Sequence, residues 1–370
     1  MMAIMDIIII GCLVSAAAAI PGCFLILRRM AMMSDAISHS VLLGIVVMFL
    51  IIRTLHSPLL IAAAAATGLM TVVLTELLIA SKRMKRDAAI GLIFPLFFAI
   101  AIIMINQFAS GVHLDQDAVI LGEIAFAPFH RWTVMGVDLG PVGAWLMGGV
   151  LVINTLFVTL FYKELMVSTF DSLLATSMGF RPRLLHYGLM VCVSLTCVAA
   201  FDVVGTILIV ALIITPPASA YLLTNRLSTM LFLSVGIGCV CTVLGVGAAV
   251  VIDASIAGSM CAMAGLVFIL IFLFSPEHGL IKKAYNQRRK TIQFSAMLLT
   301  IQFFNHRHPN RHPFEFSIQN LTDHMRWSES FSKKVIGYAV QNNFIVQHDA
   351  ATYRLTPFGE EVAKNAIQST

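Results

Sequence analysis

The chain has 370 residues, 59% of them hydrophobic and only 12% charged, with a mean hydropathy of +0.90. Soluble domains are about 45–50% apolar and about 25% charged, so a wholly soluble enzyme or binding protein is excluded and an integral membrane protein is implied. Residues 1–275 hold 12 Lys and Arg against 12 Asp and Glu, whereas residues 276–370 hold 12 against 7, so the net +5 belongs to the tail and two domains are expected, 1–280 in the membrane and 281–370 outside it.

Nine apolar segments, near residues 4–27, 36–53, 58–80, 88–107, 141–162, 185–201, 203–223, 229–252 and 256–274, each approach the roughly 20 residues that cross a bilayer. Lipid offers the backbone no hydrogen bonds, so an all-α polytopic fold is predicted. Arg28 and Arg29 follow the first segment, Lys82, Arg83, Lys85 and Arg86 the third, Lys163, Arg181 and Arg183 flank the loop after the fifth, and Arg226 follows the seventh. The opposite connections carry Asp115, Asp117, Glu123, Asp138, Asp202 and Asp253, with Arg53 and Arg131 as basic exceptions. The positive-inside rule then puts the N-terminus outside and the tail in the cytoplasm. The first segment is too long for a signal-peptide core, and its arginines follow it, so it reads as a span rather than a cleaved leader. All seven cysteines lie in apolar runs, where packing is the expected role.

In the second segment, the run SDAISHS sets Asp35 and His39 four residues apart, one above the other on a helix face. A carboxylate oxygen and an imidazole nitrogen are ligands that divalent manganese, iron and zinc accept, and Ser38 and Ser40 suit supporting hydrogen bonds. The same run also suits a plain helix start, with Ser34 as cap, Asp35 at the positive end of the dipole and His39 as its partner. Glu76, near the inner end of the third segment, reads as a side chain reaching for the headgroups. The inner loop 163–184 holds a short helix between Asp171 and Gly179. Pro216 and Pro217 in TPPASA predict a broken or kinked helix, marking either a pathway helix or a purely structural kink, because proline removes a backbone donor and clashes with the preceding turn.

Past the last span, 291–304 is apolar but too short to cross, which suits a soluble-domain helix. His306, His308 and His312 follow in a proline-bearing loop, open to either a metal or an ordinary loop reading. From Leu321 the pattern is helix, turn at Trp327 and Ser328, helix with Val335, Ala339 and Val340 on one face, then strands at Phe344–Val346 and Tyr353–Leu355 around HDAAT.

Five runs in order, RRMAMMSDAISHSVLLG, RDAAIGLIF, DQDAVILGEIAF, YKELMVSTFDSLLATSMG and VVGTILIVALIITPPASAYLL, resemble permease subunits of the ABC-3 family of bacterial manganese, zinc and iron importers. The resemblance implies a type II importer-like permease with Asp35 and His39 as metal ligands in the path. It also implies a coupling helix at Phe170, Asp171, Ala175 and Gly179 against a separate ABC ATPase subunit. A second permease, a periplasmic or lipid-anchored metal-binding protein and membrane lipid would be the other partners. The transported Mn2+, Zn2+ or Fe2+ is cargo, and no permanent cofactor is expected. No G-x-x-x-x-G-K-[ST] occurs in the chain, which agrees with ATP hydrolysis elsewhere. A siderophore or cobalamin permease would instead want a wide apolar channel, and a membrane-anchored regulator would need far fewer spans. The ending YRLTPFGEEVA resembles the wing and last helix of winged helix-turn-helix domains of DtxR-like repressors, where Lys333 and Lys334 would face nucleic acid phosphates or a protein partner, with a regulatory or protein-contact role favoured over DNA.

Overall fold

The computed structural model describes residues 2–53, 58–108, 124–134, 137–276, 279–305, 316–317, 325, 327–347 and 352–368. Asp115, Asp117, Glu123, His306, His308, His312 and most of the helix predicted from Leu321 lie outside these residues, as does the turn of HDAAT. The chain forms two compact units, 1–279 and 280–370.

The first unit consists of α1 (Met2–Leu27), α2 (Met32–Ile52), α3 (Pro58–Ala80), α4 (Arg86–Phe108), a hairpin of β1 (Arg131–Val134) and β2 (Val137–Pro141), α5 (Val142–Leu160), α6 (Tyr162–Phe170), α7 (Ser172–Ser177), α8 (Pro182–Phe201), α9 (Val203–Leu223), α10 (Leu227–Ile252) and α11 (Ile256–Phe274). Nine of these, all but α6 and α7, are long and apolar enough to cross a membrane, among the described residues. The hairpin is the one addition to the all-helical expectation. It is antiparallel, with Thr133 opposite Asp138, and its Arg131 bridges Asp6 of α1 (3.1 Å) and Asp138 (2.6 Å). A basic exception to the charge rule is thus held by two acidic neighbours.

α1 is the central helix. Ile10, Val14, Ala17, Ala18, Ala19, Cys23 and Phe24 are buried, and α1 packs on α5, on α10 and on the α8–α9 stretch. With lipid as apolar as leucine, such contacts rest on close backbone approach and interhelical hydrogen bonds. Asn154 of α5 supplies the latter, donating to the Ala17 carbonyl (2.9 Å) and to Thr196 Oγ1 of α8 (2.8 Å). Gly22 supplies the former: a β-carbon there would run into the Ile213 carbonyl oxygen.

The break expected at the prolines is not seen. Helical backbone runs through Pro216 and Pro217, and the departure lies at Gly205 (φ 77°, ψ 172°), in the region glycine adopts without cost. The chain reverses there. Arg28 touches His186 while Gly22, six positions earlier, packs against Ile213; a straight helix would hold His186 and Ile213 about 40 Å apart. Pro217 can donate no bond to Ile213, and the carbonyl so freed is the atom on which Gly22 closes, with Pro217 Cγ beside it. Ser219 Oγ donates to the Thr215 carbonyl (2.8 Å), and the helix continues.

The second unit holds α12 (Leu280–Asn305), β3 (Phe316–Ser317), α13 (Glu329–Gln341), β4 (Ile345–Gln347), β5 (Thr352–Leu355) and α14 (Pro357–Gln368). Its sheet is antiparallel in the order β3-β5-β4. Ala296, Leu299 and Phe303 of α12 meet Val335, Ile336 and Ala339 of α13 and Ile345 of β4 in one core. Val340, expected on that buried face, is instead exposed and Ile336 takes its place, because a 3.6-residue turn carries position 340 past the contact.

Candidate functional site

α2 starts at Met32, so Ser34 lies inside the helix and not at its cap. Ser34 Oγ donates to the Ala31 carbonyl (2.7 Å), Ser38 to that of Ser34 (2.8 Å) and Ser40 to that of Ile37 (3.0 Å). The three hydroxyls serve the helix backbone rather than Asp35 or His39, which leaves the pair to itself. His39 Nε2 stands 3.4 Å from Asp35 Oδ1, with the two side chains 30% and 32% exposed. Ser34, Ala36, Ile37, Ser38, Ser40, Val41 and Leu42 are all buried. Between Met33 and Leu42 only Asp35 and His39 are left partly open, a stripe that continues through Leu43 and Val47, while Ile45, Met48, Leu50 and Ile51 open other faces further along the helix. Phe94 of α4 stacks on the His39 ring (centroids 5.8 Å, 29°) and Phe98 meets it edge-on (5.8 Å, 80°). Two aromatic rings therefore limit the imidazole to few orientations.

Three donor atoms, two oxygens and one nitrogen, do not close a coordination sphere. Among the described residues no group of three or more His, Cys, Asp or Glu comes together. A cation held here needs ligands from a second chain or from water, and the open stripe admits either.

The structure does not bring the other predicted residues to this pair. Phe170 ends α6 and is exposed. Asp171 caps α7, its Oδ1 accepting from the Leu173 and Leu174 amides (3.0 and 2.9 Å). Gly179 (φ 85°) closes α7, with Phe180 N bonded to the Ala175 carbonyl and Gly179 N to that of Thr176, the αL ending that glycine favours. Ala175 is fully buried, so it packs α7 against its own chain and does not present a contact surface. Phe170 is joined as an exposed apolar side chain by Leu173, Leu174, Met178 and Leu184, which the sequence had not singled out, beside a groove of about 730 Å³ whose rim carries Arg181 and Arg183. Lys333 is engaged by Glu329 (2.7 Å), whose carboxyl it holds below the usual range, and Lys334 is exposed. Glu76 does not reach outward, for its carboxylate pairs with His186 of α8.

Residues 1–275 match the ABC 3 transport family. The chain belongs to that family. Among the relatives of this ABC-3 chain, the zinc transport system membrane protein TroD of Treponema pallidum is 43% identical over 346 residues, 94% of each chain. The manganese transport system membrane protein MntD of Bacillus subtilis is 46% identical over 277 residues, 75% of this chain and 94% of its own. Of solved structures, PsaBC from Streptococcus pneumoniae in complex with Fab matches with a TM-score of 0.63 at 32% identity, covering 76% of this chain and 94% of that one. The TroD alignment is longer than the first unit and must extend into the second. This chain is a multi-pass membrane permease, not an enzyme.

Proposed function

We propose that this permease carries a divalent metal ion, Mn2+, Zn2+ or Fe2+, into the cell along a path lined by Asp35 and His39. The observation that carries this reading is the first half of α2, where between Met33 and Leu42 every side chain is buried except Asp35 and His39. A carboxylate near lipid is costly unless neutralised or functional. Two permease copies facing one another would bring two carboxylates, which balance the charge of a divalent ion, and two imidazoles, which complete a set of N and O donors suited to these metals. The names of TroD and MntD, zinc and manganese transport proteins, support the metal class.

Lysine and arginine collect at the end formed by the α1–α2, α3–α4, α5–α8 and α9–α10 connections, and by the charge rule this end is cytoplasmic. The exposed apolar residues of α6–α7 project there as the seat of a separate ATPase, with the arginines as its rim. A periplasmic or lipid-anchored protein delivers the ion at the hairpin end. Uptake of radioactive manganese, zinc and iron by cells with and without this chain tests the reading: loss of at least one is expected, and unaltered uptake of all three would refute it.

Among its described residues the second unit runs helix, strand, helix, strand, strand, helix, with β3 beside β5 and β5 beside β4, an order that supports a winged-helix reading with β4 and β5 as the wing. It has its own core, and we assign it a regulatory, protein-contact role in the cytoplasm. Truncation after Lys283 is expected to leave metal uptake near wild type while altering its response to metal supply; abolished uptake with normal membrane levels would overturn that assignment.

A further inference from the structure

α1 ends in a closed turn. Met30 N bonds to the Leu25 carbonyl (2.8 Å) and Arg29 N to that of Ile26 (3.0 Å), with Arg29 at φ 56°, the paired bonds of a Schellman ending. This fixes the origin of the Arg28 side chain, whose planar fork then meets three acceptors at once. Nε donates to Thr169 Oγ1 (3.1 Å), Nη2 to Ser168 Oγ (3.1 Å), and Nη1 faces His186 Nδ1 (3.3 Å). Ser168 in turn donates to the Leu165 carbonyl (3.2 Å), and Arg86 Nη1 donates to the Arg28 carbonyl (3.3 Å). Burial lowers the guanidinium's pKa, yet from so high a starting value that the charge is kept.

A guanidinium has donors only. Nδ1 of His186 must therefore offer its lone pair to Arg28, which assigns the ring proton to Nε2, the atom paired with Glu76 of α3. With both ring nitrogens committed, His186 has no lone pair for a metal, and the cluster is a structural relay rather than a second ion site. It joins four elements: the end of α6, the end of α1, the start of α8 and the inner part of α3.

The two ends of the relay matter. Ser168 and Thr169 are followed directly by Phe170 and by Asp171, the extended residue (φ −145°, ψ 100°) between α6 and α7. On the other side, α3 and α8 both pack on α2: Gly44 lies against the Ala63 backbone, and Cys197 Sγ reaches the Ser34 carbonyl (4.0 Å), next to Asp35. We infer that Arg28 is a positioning residue for transport, a rigid link that passes displacement of the α6–α7 segment through His186 and Glu76 to α3 and α8, and so to the helix that carries Asp35 and His39. This rests on the reading that the ATPase docks on α6–α7.

The test uses the full permease, assembled with its ATPase in proteoliposomes, with Mn2+ as the probe and both ATP hydrolysis and Mn2+ uptake measured. Arg28→Ala is expected to keep the ATPase bound and hydrolysing while Mn2+ moved per ATP falls on the order of 2- to 30-fold, the span seen for residues that carry coupling without touching a ligand. Arg28→Lys should not rescue it, because a single ammonium cannot serve two hydroxyls and an imidazole in one plane. The double variant S168A/T169A leaves Arg28 in place and should reproduce the uncoupling. A merely structural Arg28 would lower hydrolysis, assembly and uptake together. An unchanged Mn2+ to ATP ratio in Arg28→Ala, or in S168A/T169A, would overturn the relay. Leu173→Asp separates the two readings, since an ATPase that stays bound to that variant overturns the docking on which the relay depends, whereas intact docking with unchanged ratios overturns the relay alone.

Discussion

Cells carrying Asp35→Ala or His39→Ala are expected to take up manganese about 10- to 100-fold more slowly than cells with the unaltered chain. Removing even a supporting partner of a metal ligand costs that much, and these side chains would touch the ion itself. Asp35→Asn should fare little better, since an amide keeps the shape but not the charge that balances a divalent ion. Leu43→Ala, one turn further along the same open stripe, changes neither charge nor donor set and should stay near wild type. Competition by zinc and iron in the same assay ranks the metals, because a site of carboxylate oxygens and imidazole nitrogens admits all three and selects by geometry. Normal uptake in both alanine variants, at normal membrane levels, would remove the pair from the pathway.

Gly22→Val is expected to destroy the permease before transport is measured. Its β-carbon would meet the Ile213 carbonyl oxygen and Pro217 Cγ, parts of a backbone that cannot turn aside. Overpacking typically costs about 1–3 kcal/mol and sometimes more, and at about 2–4 °C per kcal/mol the melting temperature should fall by up to about 12 °C, if folded protein accumulates. Gly148→Ala has open space around its β-carbon, and the better helix propensity of alanine should leave it as stable as the parent. Melting curves of detergent-extracted protein separate the two; equal curves would show that α1 and α9 do not touch as described.

The nine spans were legible because twenty-residue apolar runs are the strongest signal a sequence carries, and lipid permits one solution for each. Asp35 and His39 were legible from spacing, since a gap of four decides the face without knowledge of the fold. What was not legible depended on partners distant in the chain. Glu76 lies 110 positions from His186, and Arg28 is 140 from Ser168 and 158 from His186, so neither joined a pattern; the usable clue was that an ionisable group at membrane depth needs a named partner. The break assigned to Pro216 and Pro217 failed for the same reason. Whether a proline disrupts its helix depends on what meets the carbonyl it frees, and Gly22 is nearly two hundred residues upstream. At α7, Asp171 and Gly179 could be read as cap and terminator from residue type alone, but burial of Ala175 required the packed structure.

The central place of α1 has a consequence for biogenesis. Gly11 packs against Thr242 and Met260, so this face of α1 waits for its neighbours until 231 further residues have been made, on the order of 10–50 s of synthesis at ordinary bacterial rates. Through that interval its alanine- and glycine-rich flanks lie against lipid or the insertion machinery. This part of the bundle is therefore completed late in synthesis, and nonsense mutations before α10 should leave that face of α1 without its partners, as a substrate for membrane proteases.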